Sequence, residues 1–129
     1  MELQQDKGLG PFIAAYEAEE LRVEQQVYHS SILVHAEKQV HVWRPFDLAD
    51  LQAQDFQDII SLNPNLILLG TGKTLVFPES ELLAPLYNAC LGVEIMDTAA
   101  ACRTYNVLMA EGRNVLAALL LNCKSHDLI

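Results

Sequence analysis

The stretch LILLGTG (66–72), together with GVEIM (92–96), DTAAACRTYNVLMA (97–110) and NVLAALLL (114–121), decides the fold. Leu66-Ile67-Leu68-Leu69 is apolar at every position. A strand without alternation is covered on both faces, and such strands belong to parallel sheets. Gly92 to Met96 is the next strand. Asp97 or Thr98 caps a helix that runs to about Ala110, where Gly112 can take the left-handed C-terminal position. Asn114 to Leu121 reads as the last strand. Between the first two strands a helix is expected from about Ser80 to Ala89, with Ser80 as N-cap and Pro85 kinking it or delaying its start. Strand, helix, strand, helix, strand makes two crossover units, which are right-handed in nearly every known case.

Working outward, the N-terminal half reads as strands. Phe12 to Ala18 is a short β-prone run, Leu21 to Tyr28 alternates imperfectly, and Ser30 to His35 with Val40 to Trp43 forms a hairpin across residues 36–39. This is an antiparallel meander. After Pro45 the period changes: Leu51, Phe56, Ile59, Ile60 and Leu62 fall at helical spacings, which predicts a helix over about Asp50 to Leu62. Asn63-Pro64-Asn65 stops it, because proline excludes the helical conformation from the residue before it. The expectation is a three-layer α/β fold in one domain over residues 1–129, a mixed sheet with a parallel βαβαβ C-terminal half and antiparallel N-terminal strands. Residues 1–9 and 123–129 read as dispensable ends.

Composition narrows the function. With 51% hydrophobic residues in 129, the chain can bury a core without disulfides or metal. A formal charge of −9 with 8 Lys plus Arg argues against nucleic acid and anionic membranes, which need a basic face. The longest apolar run, Val115 to Leu121, is far short of the roughly 20 residues that span a bilayer. Met1 to Asp6 lacks the basic and then apolar pattern of a leader, so a cytoplasmic location is expected, without membrane insertion.

Gly70-Thr71-Gly72-Lys73-Thr74 invites comparison with a phosphate-binding loop, but that loop requires a glycine where Ile67 stands, and Leu75-Val76-Phe77-Pro78 reads as extended where a helix should open. No cofactor is implied. Position matters more. If the strands at 66–69 and 92–96 are parallel, Gly70-Thr71-Gly72 and Met96-Asp97-Thr98 leave the same carboxyl edge, where open α/β sheets bind ligands. Loop amides and a helix N-terminus are suited to an anion, whereas an ordinary turn and cap would explain the same residues. On that helix Ala99, Arg103, Asn106 and Ala110 share a stripe, placing Arg103 and Asn106 at a cleft, at a docking face, or in surface ion pairs.

Other polar residues read as structural. Cys90, Cys102 and Cys123 form no disulfide or zinc pattern; Cys102 beside Arg103 is either a packed thiol or one of lowered pKa. Tyr105 is expected to bury its ring with its hydroxyl bonded. Glu111 and Arg113 suit an ion pair or a helix-end anchor. His29 and His35, about 20 Å apart if on one strand, cannot share a metal, and no third ligand joins His41. No metal site and no catalytic residue is indicated.

The segments LLGTG (68–72), FP (77–78) and GVEIMDTAAACRTYNVLMAEGRNVLAALL (92–120), with SSILV (30–34) and VHVWRP (40–45), resemble a small family of domains of unknown function that includes mitochondrial respiratory complex I assembly factor three. The matching residues are Gly70, Thr71, Gly72, Met96, Thr98, Arg103, Thr104, Tyr105, Asn106, Glu111 and Arg113. The resemblance implies a three-layer α/β fold with a mixed sheet, no established activity or cofactor, and a bacterial member of a family whose mitochondrial members act as non-catalytic assembly factors with protein partners. The expected role is a protein-interaction module using the edge near the Gly70-Thr71-Gly72 loop and the Arg103 stripe, with homo-oligomers also possible. The alternative is a small-anion binder or enzyme with its cleft at that loop and the N-terminus of the helix starting near Thr98.

Overall fold

The computed structural model describes residues 10–17 and 20–121; both chain ends named above, and Cys123, lie outside the described residues. Among the described residues eight strands form two sheets. β1 (Ile13–Glu17), β2 (Glu20–Val23) and β3 (Gln26–Tyr28) make a small antiparallel sheet in that order. β4 (Ile32–His35), β5 (Gln39–Val42), β6 (Leu66–Gly70), β7 (Gly92–Met96) and β8 (Val115–Leu119) make the main sheet, in the order β5-β4-β8-β6-β7. β6 runs parallel to both β7 and β8, and β4 runs antiparallel to both β5 and β8. The mixed sheet with its parallel C-terminal half is therefore present.

Alternating side chains divide the main sheet's core in two. Ile32, Val34, Leu68, Val115, Ala117 and Leu119 face one side; Leu33, Ile67, Leu69, Leu116, Ala118 and Leu120 face the other. On the first side lie the small sheet and α3 (Thr98–Ala110), which buries Ala101, Cys102, Tyr105 and Met109. On the second lie α1 (Gln57–Leu62) and α2 (Ser80–Asn88), with Trp43, Phe56, Ile59, Leu83 and Leu86 at the contact. These are the three layers.

Several elements differ from the sequence reading. Leu21 to Tyr28 is two strands, because Glu24 turns the chain at φ 55, where its N–H donates to Phe12 O at 2.8 Å. The first three strands close on themselves instead of continuing the meander into the β4–β5 hairpin. The helix expected over residues 50–62 is two 3-10 turns, Leu48–Asp50 and Ala53–Phe56, followed by the short α1. α1 ends at Asn63 in the left-handed conformation (φ 58). Glu79, not Ser80, occupies the cap position of α2, and Pro85 sits inside that helix, where it removes a donor to the exposed Glu81 turn. α3 matches its expected limits, with Asp97 as N-cap. It ends in a Schellman pattern: Gly112 N–H donates to Met109 O and Arg113 N–H to Leu108 O.

Candidate functional site

Parallel pairing of β6 with β7 sets Gly70 opposite Met96, so the two following loops leave the carboxyl edge side by side. They are laced together. Thr71 N–H donates to Met96 O (2.9 Å), Thr98 N–H to Gly72 O (2.9 Å) and Gly72 N–H to Thr98 Oγ1 (2.8 Å). The Thr98 hydroxyl, fully buried, donates to Leu120 O at 2.9 Å and ties the loops to the end of β8. At the start of α3, Thr98, Ala100 and Ala101 each donate their N–H within the molecule, Ala100 to the Asp97 carboxylate at 2.8 Å. The groups that suited an anion in the sequence are largely engaged with one another, and a carboxylate already faces the helix N-terminus.

Beside the exposed Lys73 and Thr74, this edge presents a run of large apolar side chains. Leu75, Val76 and Phe77 are 50%, 44% and 67% exposed. Their segment is fixed from beneath, because the buried Thr71 hydroxyl donates to Thr74 O (2.7 Å) and accepts from Val76 N–H (3.2 Å). Three large apolar side chains are thus held in the open beside Gly70-Thr71-Gly72. In the sequence this showed only as an extended-looking run; its exposure depends on no strand of the described residues pairing with it, which a local pattern does not reveal.

Of the remaining site residues, Met96 ends β7 at that edge and Asn106 lies away from it. Met96 packs partly buried against the α3-side core. Arg103 is exposed. Asn106 lies eight residues into α3, about 12 Å along the axis from Thr98. There it grips β1 in both directions: Nδ2 donates to Ile13 O, and Ile13 N–H donates to Oδ1, each at 2.9 Å. Tyr105 adds a hydroxyl bond to Pro11 O at 2.7 Å, as expected of a buried tyrosine. Burial, then the charge of Glu24, pushes that phenol upward.

Cys102 resolves as a packed thiol. Burial pushes it up to about 12 against the opposing pull of Arg103, with Asp97 adding to the rise, which corrects the lowered-pKa alternative. Glu111 and Arg113 form no ion pair among the described residues' salt bridges; Arg113 anchors the helix end through its backbone. His29 precedes β4 instead of sharing a strand with His35, and its Nε2 lies 3.4 Å from Glu20 Oε1. His35 is buried with Nε2 2.7 Å from Asn114 Oδ1, and His41 pairs with Leu33 across the hairpin, not with another histidine. Among the described residues no group of three or more His, Cys, Asp or Glu is placed to hold a metal.

One cluster was not singled out in the sequence. Arg44 donates through Nε and Nη2 to both oxygens of Asp55 (2.8 Å each), and to Asp50 O, closing the loop that carries the 3-10 turns. Burial works to raise the Asp55 carboxyl, but the Arg44 guanidinium and the Gln52 N–H outweigh it and the net shift is downward. The signal was Trp43-Arg44-Pro45 followed by Asp47, Asp50 and Asp55 ahead of an apolar run. At the other end of α3 from the carboxyl edge, an open groove of about 950 Å³ is lined by Phe12, Val23, Tyr28, Val40 and Met109, with Lys38 and Glu24 also on its walls. No described helix is long and apolar enough to cross a membrane.

A family model described as "Protein of unknown function (DUF498/DUF598)" matches residues 13–120. An uncharacterized protein of Rhodobacter capsulatus is 37% identical over 100 residues, 77% of this chain and 75% of that one. The "13 kDa major membrane protein" of Francisella tularensis subsp. holarctica is 32% identical over 74 residues, 57% of this chain and 60% of its own length. The rat NADH dehydrogenase (ubiquinone) 1 alpha subcomplex assembly factor 3 is 32% identical over 80 residues, 60% of this chain and 43% of that protein. The chain thus spans less than two thirds of the Francisella protein and less than half of the rat one. A crystal structure from Bordetella parapertussis superposes with TM-score 0.79 at 39% identity, over 85% of this chain and 94% of that one. A solution structure from Bordetella pertussis, described as a Mth938-like domain, gives 0.77 at 32% identity, over 87% and 86%.

Proposed function

Since the chain belongs to this family of proteins of unknown function, DUF498/DUF598, we propose that it is a non-catalytic protein-interaction module of the assembly-factor kind, docking a protein partner at the carboxyl edge of its sheet. The observation that carries the reading is the exposed trio Leu75, Val76 and Phe77, whose backbone is bonded to Thr71 beside the Gly70-Thr71-Gly72 loop. Fully burying a side chain of this size is worth about 1.5–3 kcal/mol, and a backbone already bonded in place loses less entropy on binding. Met96, Asp97 and Thr98 belong to this edge as the strand end and helix start bonded to the Gly70-Thr71-Gly72 loop, Arg103 is an exposed side chain farther along α3, and Asn106 serves by holding β1 in place. The rat relative, named as an assembly factor of an NADH dehydrogenase, supports the same class of role. The anion-cleft alternative loses support from the internal bonds of Gly72, Thr98 and Ala100 and from the carboxylate of Asp97.

The module works in this proposal without cofactor or metal, binds no nucleic acid, and resides in the cytoplasm. The name of the Francisella relative makes cell fractionation the direct check on that location. The decisive experiment is affinity capture from the native host with the wild-type chain and with the paired substitution Val76→Ser, Phe77→Ser. One protein held in near-stoichiometric amount by the wild type and released by the variant supports the docking face. Equal retention by both chains places the partner elsewhere, and a small anion that co-purifies with wild type but not with Gly72→Val restores the cleft reading.

A further inference from the structure

We propose that β5 is a self-association edge: a second copy of this chain pairs its own β5 antiparallel to this one across a two-fold axis, joining two main sheets into one. This surface lies away from the carboxyl edge, and the inference does not rest on the docking role proposed there.

Among the described residues β5 is an outer strand, bonded only to β4. Its free groups follow from the register. Trp43 N–H donates to Ser31 O at 2.8 Å, so Ser31 and Trp43 are a hydrogen-bonded pair. Antiparallel pairs alternate. Leu33 with His41 and His35 with Gln39 are then the next bonded pairs, while Val40 and Val42 turn their N–H and C=O away from β4 toward the open edge.

Native edges are usually blunted by charge, proline or a bulge. The other outer strand of this sheet, β7, carries the exposed Glu94. β5 is Gln39-Val40-His41-Val42, with no acid, lysine, arginine or proline in a chain of formal charge −9. Two copies can therefore meet along this strand without bringing carboxylates together.

The side chains are self-complementary. An axis through His41 sets Val40 of each copy opposite Val42 of the other, on one face of the joined sheet. Val42 is 66% exposed, a large apolar side chain left in solvent. Val40 lines the groove of about 950 Å³, whose apolar walls include Phe12, Val23, Tyr28 and Met109. Each Val42 then falls at the mouth of the other copy's groove, and β-branched cross-strand pairs stabilise sheets. The same register brings Arg44 toward Lys38 of the second copy, but Arg44 is already answered by Asp50 and Asp55.

The test is sedimentation of the full chain over a concentration series, with amide exchange read at Val40 and Val42. The expected result is a mass rising toward twice 14.4 kDa, with those two amides becoming protected as the dimer forms. Val42→Lys places a charge at the seam and Val42→Pro removes the outward N–H; each should raise the dissociation constant at least about tenfold. Circular dichroism checks that the variants fold, and the amide measurement on the wild type needs no substitution. A chain that stays monomeric at its solubility limit overturns the proposal. So does a dimer in which the Val40 and Val42 amides still exchange freely, or one that survives both substitutions.

Discussion

Thr98 places one hydroxyl between two backbone groups, donating to Leu120 O and accepting from Gly72 N–H, at a fully buried point where β6, β8 and α3 converge. Thr98→Val keeps the shape and removes both bonds. An unsatisfied buried group costs about 1–3 kcal/mol, so a loss of unfolding free energy of that order is expected from urea titration, and an unchanged midpoint would show that neither bond matters. Cys102 gives a second expectation. Its thiol stays protonated up to about 12 in the folded chain, against 9.0 when unperturbed, so the unfolded chain releases its proton first. Its contribution to stability is complete below pH 9.0 and is lost as pH rises toward about 12, with the raised Tyr105 acting in the same direction. Cys102→Ala should flatten part of that alkaline loss in a pH series of melts. In native protein, thiol labelling resolved by peptide should mark the exposed Cys90 well before Cys102.

The elements that sequence made legible are those whose period or caps are local. Leu66–Gly70, Gly92–Met96 and Thr98–Ala110 could be bounded because an unbroken apolar run, an Asp cap and a Gly after the last turn each act over a few residues. The stretch from 44 to 56 was not legible in this way, since its 3-10 turns depend on Arg44 reaching Asp55 eleven positions later. The turn at Glu24 carries no glycine, asparagine or proline to announce it, and is held by contacts with Phe12. The site was half legible for the same reason: that residues 70–72 and 96–98 meet follows from parallel strands, but that their polar groups satisfy one another does not. β6 supports a direct test. Leu68 is fully buried in the middle of the sheet, and Leu68→Ala should cost about 2–5 kcal/mol by denaturant titration. Gly70→Ala should also destabilise, because a Cβ there would stand 2.9 Å from both Cα and Oγ1 of Thr98 and must push α3 from the strand.

Across the whole molecule, the issue is whether the small sheet is a separate unit or part of one cooperative body. Its residues Ile13, Leu21 and Val23 are buried in the same cluster as Leu68, Tyr105 and Val115. Asn106 and Tyr105 bind Ile13 and Pro11, so α3 is bonded to β1 on one side and packed on the main sheet on the other. None of this sharing is written in the local pattern of residues 12–28, where a free-standing hairpin and a docked sheet read alike. Three short strands with one buried face are marginal alone. We therefore expect them to unfold only with the rest. Fluorescence of Trp43, buried on the far side of the main sheet, and amide exchange at Leu21 and Val23 report the two extremes of the fold. Coincident transitions, with Leu21 and Val23 exchanging at the global unfolding free energy, would establish one domain. Exchange of those amides well below that free energy would instead make the small sheet a subunit of structure that opens by itself, and Asn106→Ala would then shift its opening while leaving the Trp43 transition in place.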